Sequence, residues 1–194
     1  MDKLDKFDLE ARFFYSAVVA GKNAAFANSC IDRWLGYVQN GETPLSTAAR
    51  LDGLGQLEES LRKARTGNYR KLVRVLRIAI ERKINLSVAT PEELEAIPGI
   101  GPKTARFFVV WTRPQERHAV LDVHILRWLR AKGHDVPRHT PTRKRYAEIE
   151  KVFLEEADKA GKTPRELDME IWSKSASARN VIASSNPDQK VDFL

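Results

Sequence analysis

Two ionisable side chains in the middle of the chain have types and spacing that could do chemistry. Lys103 follows the run 97-IPGIGP-102, and Asp122 stands nineteen positions later in 120-VLDVH-124. A lysine just past a glycine turn has two uses: as an ammonium it pairs with a phosphate, and as a neutral amine it is a nucleophile. An aspartate ahead of an apolar-periodic segment (Ile125, Leu126, Leu129) also has two. It caps the helix, or its carboxylate stabilises a developing positive charge or takes a proton. Residue type alone leaves both choices open.

The elements that must position Lys103 are legible around it. Thr90-Pro91-Glu92-Glu93 is a helix start, with a capping Thr, a Pro at the first helical position and a Glu three residues after the cap. It opens a short helix, 91-PEELEAI-97. Pro98-Gly99-Ile100-Gly101 then makes a tight turn, with both glycines expected in backbone conformations that other residues avoid. Pro102 is preset to begin a second helix over 102–112. Leu94, Ile97, Ile100 and Ala105 would lock the two helices together, and the exposed N–H groups at the second helix start would bind a phosphate. The pattern Leu-x-x-Ile-Pro-Gly-Ile-Gly-Pro-Lys-Thr-Ala is that of a helix–hairpin–helix, a grip on the DNA backbone indifferent to base sequence. Gly99, Gly101 and Thr104 are its expected contacts. Such hairpins occur in non-catalytic binding proteins as well as in enzymes, so the hairpin alone favours the phosphate reading of Lys103.

The rest of the chain reads as all-α. Apolar residues recur at three- and four-residue spacing, and no period-2 strand stands out. Helices are expected near 4–20, 23–39, 55–65, 68–83, 91–97, 102–112, 123–131, 142–160 and 164–178, with short pieces in 44–52. Thr140-Pro141 and Thr163-Pro164 mark two of the starts. The tail 184–194 has no helical period.

The net charge is +7 over 194 residues with a pI near 9.6, and it is concentrated. The segment 62–83 carries nine Lys or Arg against Glu81, so it holds +8 and the remainder about −1. A local basic segment suits a polyanion partner. Within it Leu72, Val75, Leu76 and Ala79 share one helix face while Arg70, Arg74 and Arg77 share another, offered to phosphates or simply to solvent. Cys30 is the single cysteine, which leaves no internal disulfide, zinc knuckle or four-cysteine iron–sulfur cluster. No apolar run approaches membrane-spanning length, and the N-terminus lacks a secretory pattern. An intracellular protein (cytoplasm or nucleoid, or a eukaryotic nucleus) without membrane association is expected.

The hairpin with Lys103, followed by Leu121-Asp122-Val123-His124, resembles the helix–hairpin–helix DNA glycosylase superfamily. With no cysteine cluster, the chain is most like the compact 8-oxoguanine DNA glycosylase/AP lyases that lack an iron–sulfur cluster. The resemblance implies a two-lobed all-α glycosylase domain over 1–183, with a middle lobe near 21–112 and a second lobe of 1–20 plus 113–183. It implies Lys103 as the nucleophile and Asp122 as the catalytic carboxylate. A lysine must be a neutral amine to attack, and a first-turn position beside the positive end of a helix favours that form. A carboxylate that caps a helix gains N–H donors that suit its ionised form, so Asp122 can serve both roles. His124 is expected on a phosphate, Lys22 on a phosphate, and Asn23 in the gap left by an extruded base, with helix capping the competing role for Asn23. Asp168 and Trp172, four residues apart in 165-RELDMEIWSKSAS-177, are expected in the base pocket, against the alternative that Trp172 and Met169 are core. The partner is double-stranded damaged DNA, met by a monomer. Neither an organic cofactor nor a catalytic metal is implied, only a structural Na⁺ or K⁺ on hairpin carbonyls. The reaction implied is excision of a damaged base, 8-oxoguanine foremost. The alternatives are another lesion (an oxidised pyrimidine or a deaminated base) and a non-catalytic DNA-binding protein.

Overall fold

The computed structural model describes residues 4–184, with side chains described to residue 174. All regular secondary structure among them is helical: α1 Lys6–Val19, α2 Ala24–Leu35, α3 Pro44–Gly53, α4 Leu57–Lys63, α5 Tyr69–Glu81, α6 Pro91–Glu95, α7 Pro102–Thr112, α8 Val123–Ala131, α9 Arg143–Lys159 and α10 Pro164–Ser184. The chain divides between Glu116 and Arg117 into two compact units, the first holding α1–α7 and the second α8–α10.

In the first unit the apolar faces of seven helices close on one core. Trp34 of α2 is fully buried, meets Phe14 of α1 edge-on at 4.7 Å, and donates its indole N–H to the buried Ser60 hydroxyl at 3.0 Å. Phe13 meets Phe108 of α7 in the same edge-to-face manner, an arrangement that follows from the quadrupoles of the rings. The sequence-based division grouped residues 1–20 with the C-terminal helices. Instead α1 gives Phe13, Phe14, Ala17 and Val18 to this core and packs on α2, α3, α5 and α7. The region 44–52, expected as short pieces, is the single helix α3, with Pro44 in its first turn and Thr43 as cap. Its approach is fixed by Glu42, which takes both Arg50 nitrogens (2.6 and 2.9 Å), the Gln39 N–H and the Thr47 hydroxyl. These donors hold the Glu42 carboxyl down at about 2.

The second unit packs α8, α9 and α10 around Leu121, Ile125, Leu126, Leu129, Tyr146, Phe153, Leu167 and Ile171. The start of α9 differs from the expected Thr140-Pro141. Pro141 is buried ahead of the helix, and Thr142, with extended backbone, is the N-cap. The start of α10 is as expected: Thr163 Oγ1 accepts the Glu166 N–H, while the Glu166 carboxylate accepts from Thr163. Tyr146 of α9 matters for what precedes α8. Its hydroxyl accepts the Leu121 N–H at 2.9 Å and donates to the Ala119 carbonyl at 2.8 Å. Glu150, one turn on, accepts the Ala119 N–H at 2.9 Å. The segment 119–121 is thus pinned to α9 at three points, and it delivers Asp122.

Candidate functional site

The hairpin is built as its sequence suggests. The Ile100 N–H closes the turn on the Ile97 carbonyl at 2.9 Å, and Leu94, Ile97, Ile100 and Ala105 are all buried. A further tie lies beneath it. The buried Arg106 of α7 donates to Glu95 of α6 at 2.5 Å, an ion pair that braces the two helices from the inner side. The two glycines are not equivalent. Gly99 has φ +112°, and a Cβ there would sit 2.9 Å from Val75 Cγ2 and 3.1 Å from Lys71 Cγ on α5. Both conformation and space require glycine. Gly101 has an ordinary φ of −99° as the N-cap of α7, with open space where a Cβ would be. The expectation of an unusual backbone at both positions therefore holds for Gly99 alone, because a single left-handed residue suffices to reverse the chain before Pro102.

Lys103 and Thr104 occupy the first turn of α7, both half-buried. Lys103 makes no hydrogen bond or ion pair among the described residues. On the same stripe of α7, four and eight residues on, Phe107 and Trp111 stack at 5.4 Å, and Tyr15 of α1 meets Trp111 edge-on at 5.1 Å.

The basic segment is divided by its neighbours. Leu72, Val75, Leu76 and Ala79 are buried as expected. Arg70 and Arg74 are exposed and form no ion pair among the described residues. Arg77 does not share their freedom, since α5 packs on α3 and Asp52 takes Arg77 in a two-pronged pair (Nε 2.9 Å, Nη2 2.7 Å). The expected three-arginine stripe is therefore two. Lys71 lies beneath Gly99 with its stem half-buried, and burial pushes it below the ordinary lysine value. Lys22 is pushed the same way by burial and then by the Lys71 charge. Its ammonium donates to the Val18 carbonyl at 2.6 Å, and its stem lies against Gly67. Asn23 is the N-cap of α2, its Oδ1 accepting from Ala25 (2.8 Å) and Phe26 (3.4 Å). That commits the side-chain oxygen to the helix.

In the second unit Asp122 is 7 % exposed and caps α8. Its Oδ1 accepts the His124 and Ile125 N–H groups at 2.8 and 2.9 Å. Its Oδ2 accepts the indole N–H of Trp172 at 2.8 Å. Three N–H donors on one carboxylate fix its orientation. The indole also lies against the imidazole of His124, ring centres 4.9 Å apart. His124 Nδ1 is buried and has no hydrogen-bond partner among the described residues. Trp172 and Met169 are 48 % and 62 % exposed, so neither is core; Leu167 and Ile171 fill that role on α10. Asp168 lies one turn before Trp172, partly buried.

The family model for the helix–hairpin–helix motif matches residues 82–106. Among solved structures, the 8-oxoguanine DNA glycosylase of Thermotoga maritima superposes with a TM-score of 0.63 at 25% identity, over 85% of this chain and 78% of that one. The 8-oxoguanine DNA glycosylase of Methanocaldococcus jannaschii gives 0.63 at 22% identity, over 87% and 78%. The glycosylase/lyase of that organism in complex with a 15-mer DNA containing 8-oxoguanine gives 0.62 at 22% identity, over 88% and 81%. The fold is that of the helix–hairpin–helix DNA glycosylases. In this chain Lys103 follows the hairpin in the first turn of α7, and Asp122 caps α8.

Four residues that shape these parts of the two units carried no sequence signal. Tyr146 and Glu150 act on a segment some thirty positions away, and Asp52 cancels an arginine twenty-five positions off. Arg106 reads as one more surface cation until its burial against Glu95 is seen. Trp172 was singled out, but for its ring face and not for its N–H. No local pattern encodes a hydrogen bond spanning fifty residues. Among the described residues no three His, Cys, Asp or Glu side chains gather as a metal ion would need, and no helix is long and apolar enough to cross a membrane.

Proposed function

We propose that this chain is a bifunctional DNA glycosylase/AP lyase of base excision repair that acts as a monomer on double-stranded damaged DNA, with 8-oxoguanine as the first substrate to test. The observation that carries the reading is a fold shared with 8-oxoguanine DNA glycosylases over most of the chain, with both of its chemically suitable positions filled: an unpaired Lys103 and a carboxylate at Asp122 held by three donors.

In this reading Lys103 Nζ attacks C1′ of the damaged nucleotide as the C1′–N bond breaks, and the base leaves with a proton. Loss of the amine proton and opening of the sugar give a Schiff base. Removal of a C2′ proton then expels the 3′-phosphate and nicks the strand. Asp122 stabilises the cationic sugar during departure of the base. The hairpin N–H groups, Arg70, Arg74, Lys22 and His124 would hold backbone phosphates. For His124 the contact falls to Nε2, since Nδ1 is buried. The Na⁺ or K⁺ expected at the hairpin would use neutral carbonyls such as that of Ile97, which keeps one lone pair beside its bond from Ile100.

Duplexes each carrying one lesion, incubated with the protein and then borohydride, test the reading. A covalent protein–DNA adduct on 8-oxoguanine duplex, absent for Lys103→Gln, is the expected result. Excision of a different lesion would reassign the substrate. Binding without excision or trapping on any lesion would leave only a DNA-binding protein.

A further inference from the structure

Trp172 is half-exposed, and a half-exposed indole beside a glycosylase carboxylate invites the role of a plate on which an extruded base stacks. The geometry adds something that role does not require. The indole N–H is spent on Asp122 Oδ2 at 2.8 Å, and the ring lies against His124, ring centres 4.9 Å apart. The two oxygens of Asp122 are thereby treated differently. Oδ1 is fastened by the backbone of its own helix, as any capping aspartate is. Oδ2, the oxygen left free by the cap, is fastened only by Trp172 among the described residues. The buried Nδ1 of His124, on the ring that meets the indole, has no hydrogen-bond partner among the described residues.

We propose that Trp172 is a positioning residue for base excision, acting through its N–H to hold Oδ2 of Asp122 in one orientation, separately from any contact its ring makes with a base. The proposal rests on the reading of Asp122 as the carboxylate that serves the departing base. It follows that the first χ angles of Asp122 are set from α10 as well as from α8. It also follows that the ring and the N–H are separable parts of one side chain, the ring bearing on substrate affinity and the N–H on rate.

The test deletes the N–H and keeps the ring. Benzothienylalanine at position 172, which carries sulfur in place of the indole N–H, is compared with Trp172→Ala and with wild type under single turnover on the preferred lesion and on a preformed abasic site. A hydrogen bond to a charged group is worth about tenfold or more in a rate that depends on it. The expected result is excision slowed about tenfold by the isostere with the dissociation constant for lesion duplex within about twofold of wild type, and abasic-site cleavage changed far less than excision. Trp172→Ala should lose rate and affinity together. An isostere that excises at the wild-type rate, while Trp172→Ala does not, overturns the proposal and leaves the ring as a stacking plate only. A second measurement needs no activity. The Trp172 indole N–H, assigned by nitrogen-15 NMR, should exchange slowly with solvent in wild type and rapidly in Asp122→Ala. Fast exchange in wild type would show that the tether does not exist, even if excision occurs. Slow exchange in a protein that excises nothing would keep the tether and refute the glycosylase reading instead.

Discussion

Lys103 and Asp122 are presented by opposite strategies. Lys103 stands in the first turn of α7 because the thirteen residues before it, 90–102, make a capped helix, a turn with one left-handed glycine and a proline that restarts the helix. Nearly everything that holds it is local, and its side chain has no partner among the described residues. Asp122 stands where it does because distant side chains converge on it: Tyr146 and Glu150 pin the segment ahead of it, and Trp172 takes its second oxygen. The difference suits the proposed chemistry. A nucleophile must be free to travel toward a sugar carbon, so a firm backbone and a loose side chain are appropriate. A carboxylate that stabilises charge must already be oriented when charge appears, so its donors are fixed beforehand.

The largest effect should come from the free side of this contrast. Lys103→Gln is expected to lower excision-coupled strand cleavage by roughly a thousandfold or more. Damaged-duplex affinity should stay near wild type, because the hairpin backbone and α5 remain. Gel assays of the trapped adduct and a parallel binding titration check this. A mutant that still traps would make Lys103 a phosphate contact.

The hairpin itself can be broken without touching a polar group. Gly99→Val forces a β-branched residue to φ +112° and drives its side chain into Val75. Loss of about 2–4 kcal/mol of unfolding free energy is expected in urea, together with weakened DNA binding. Gly101→Ala, with open space and ordinary φ, should fall within about 1 kcal/mol of wild type. Equal destabilisation by the two would contradict the asymmetry of the turn.

On the fixed side, Tyr146→Phe removes the hydroxyl that joins Leu121 N–H to the Ala119 carbonyl and leaves both unsatisfied in the core. About 1–3 kcal/mol of stability should be lost, and excision should slow more than the lyase step on a preformed abasic site. A melting shift with unchanged excision would mean that the α9 contacts serve the fold alone.

The smallest effect concerns salt. The double variant Arg70→Ala with Arg74→Ala should lower the slope of log affinity against log salt by up to about 1.8, following roughly 0.9 per phosphate contact. Arg77→Ala should change the slope little, since that guanidinium already pairs with Asp52. A larger change for Arg77 than for the other two would place the DNA on a different face of α5.

Much of the fold was legible because helices are local objects. The caps at Thr90 and Thr163 and the apolar stripe of α5 need only neighbours within four residues, and all stand as read. The displaced start of α9 shows the limit. Thr140-Pro141 and Thr142 are both acceptable caps, and the burial of Pro141 decided between them. The grouping of α1 shows it again, since the apolar stripe bearing Phe13 and Phe14 says that a partner exists but not which one.

The sequence by itself determined the all-α class, the hairpin, the first-turn lysine and the aspartate that caps α8, because each depends on backbone preferences and on spacing along one or two adjoining helices. Tertiary structure alone decided that Gly99 must be glycine against Val75, that Asp52 removes Arg77 from the basic stripe, that Tyr146 and Glu150 hold the approach to Asp122, and that the indole N–H of Trp172 is spent on a carboxylate fifty residues away. Those are pairings between side chains remote in sequence. Their energies depend on distance and direction in space, and no periodicity along the chain carries that information.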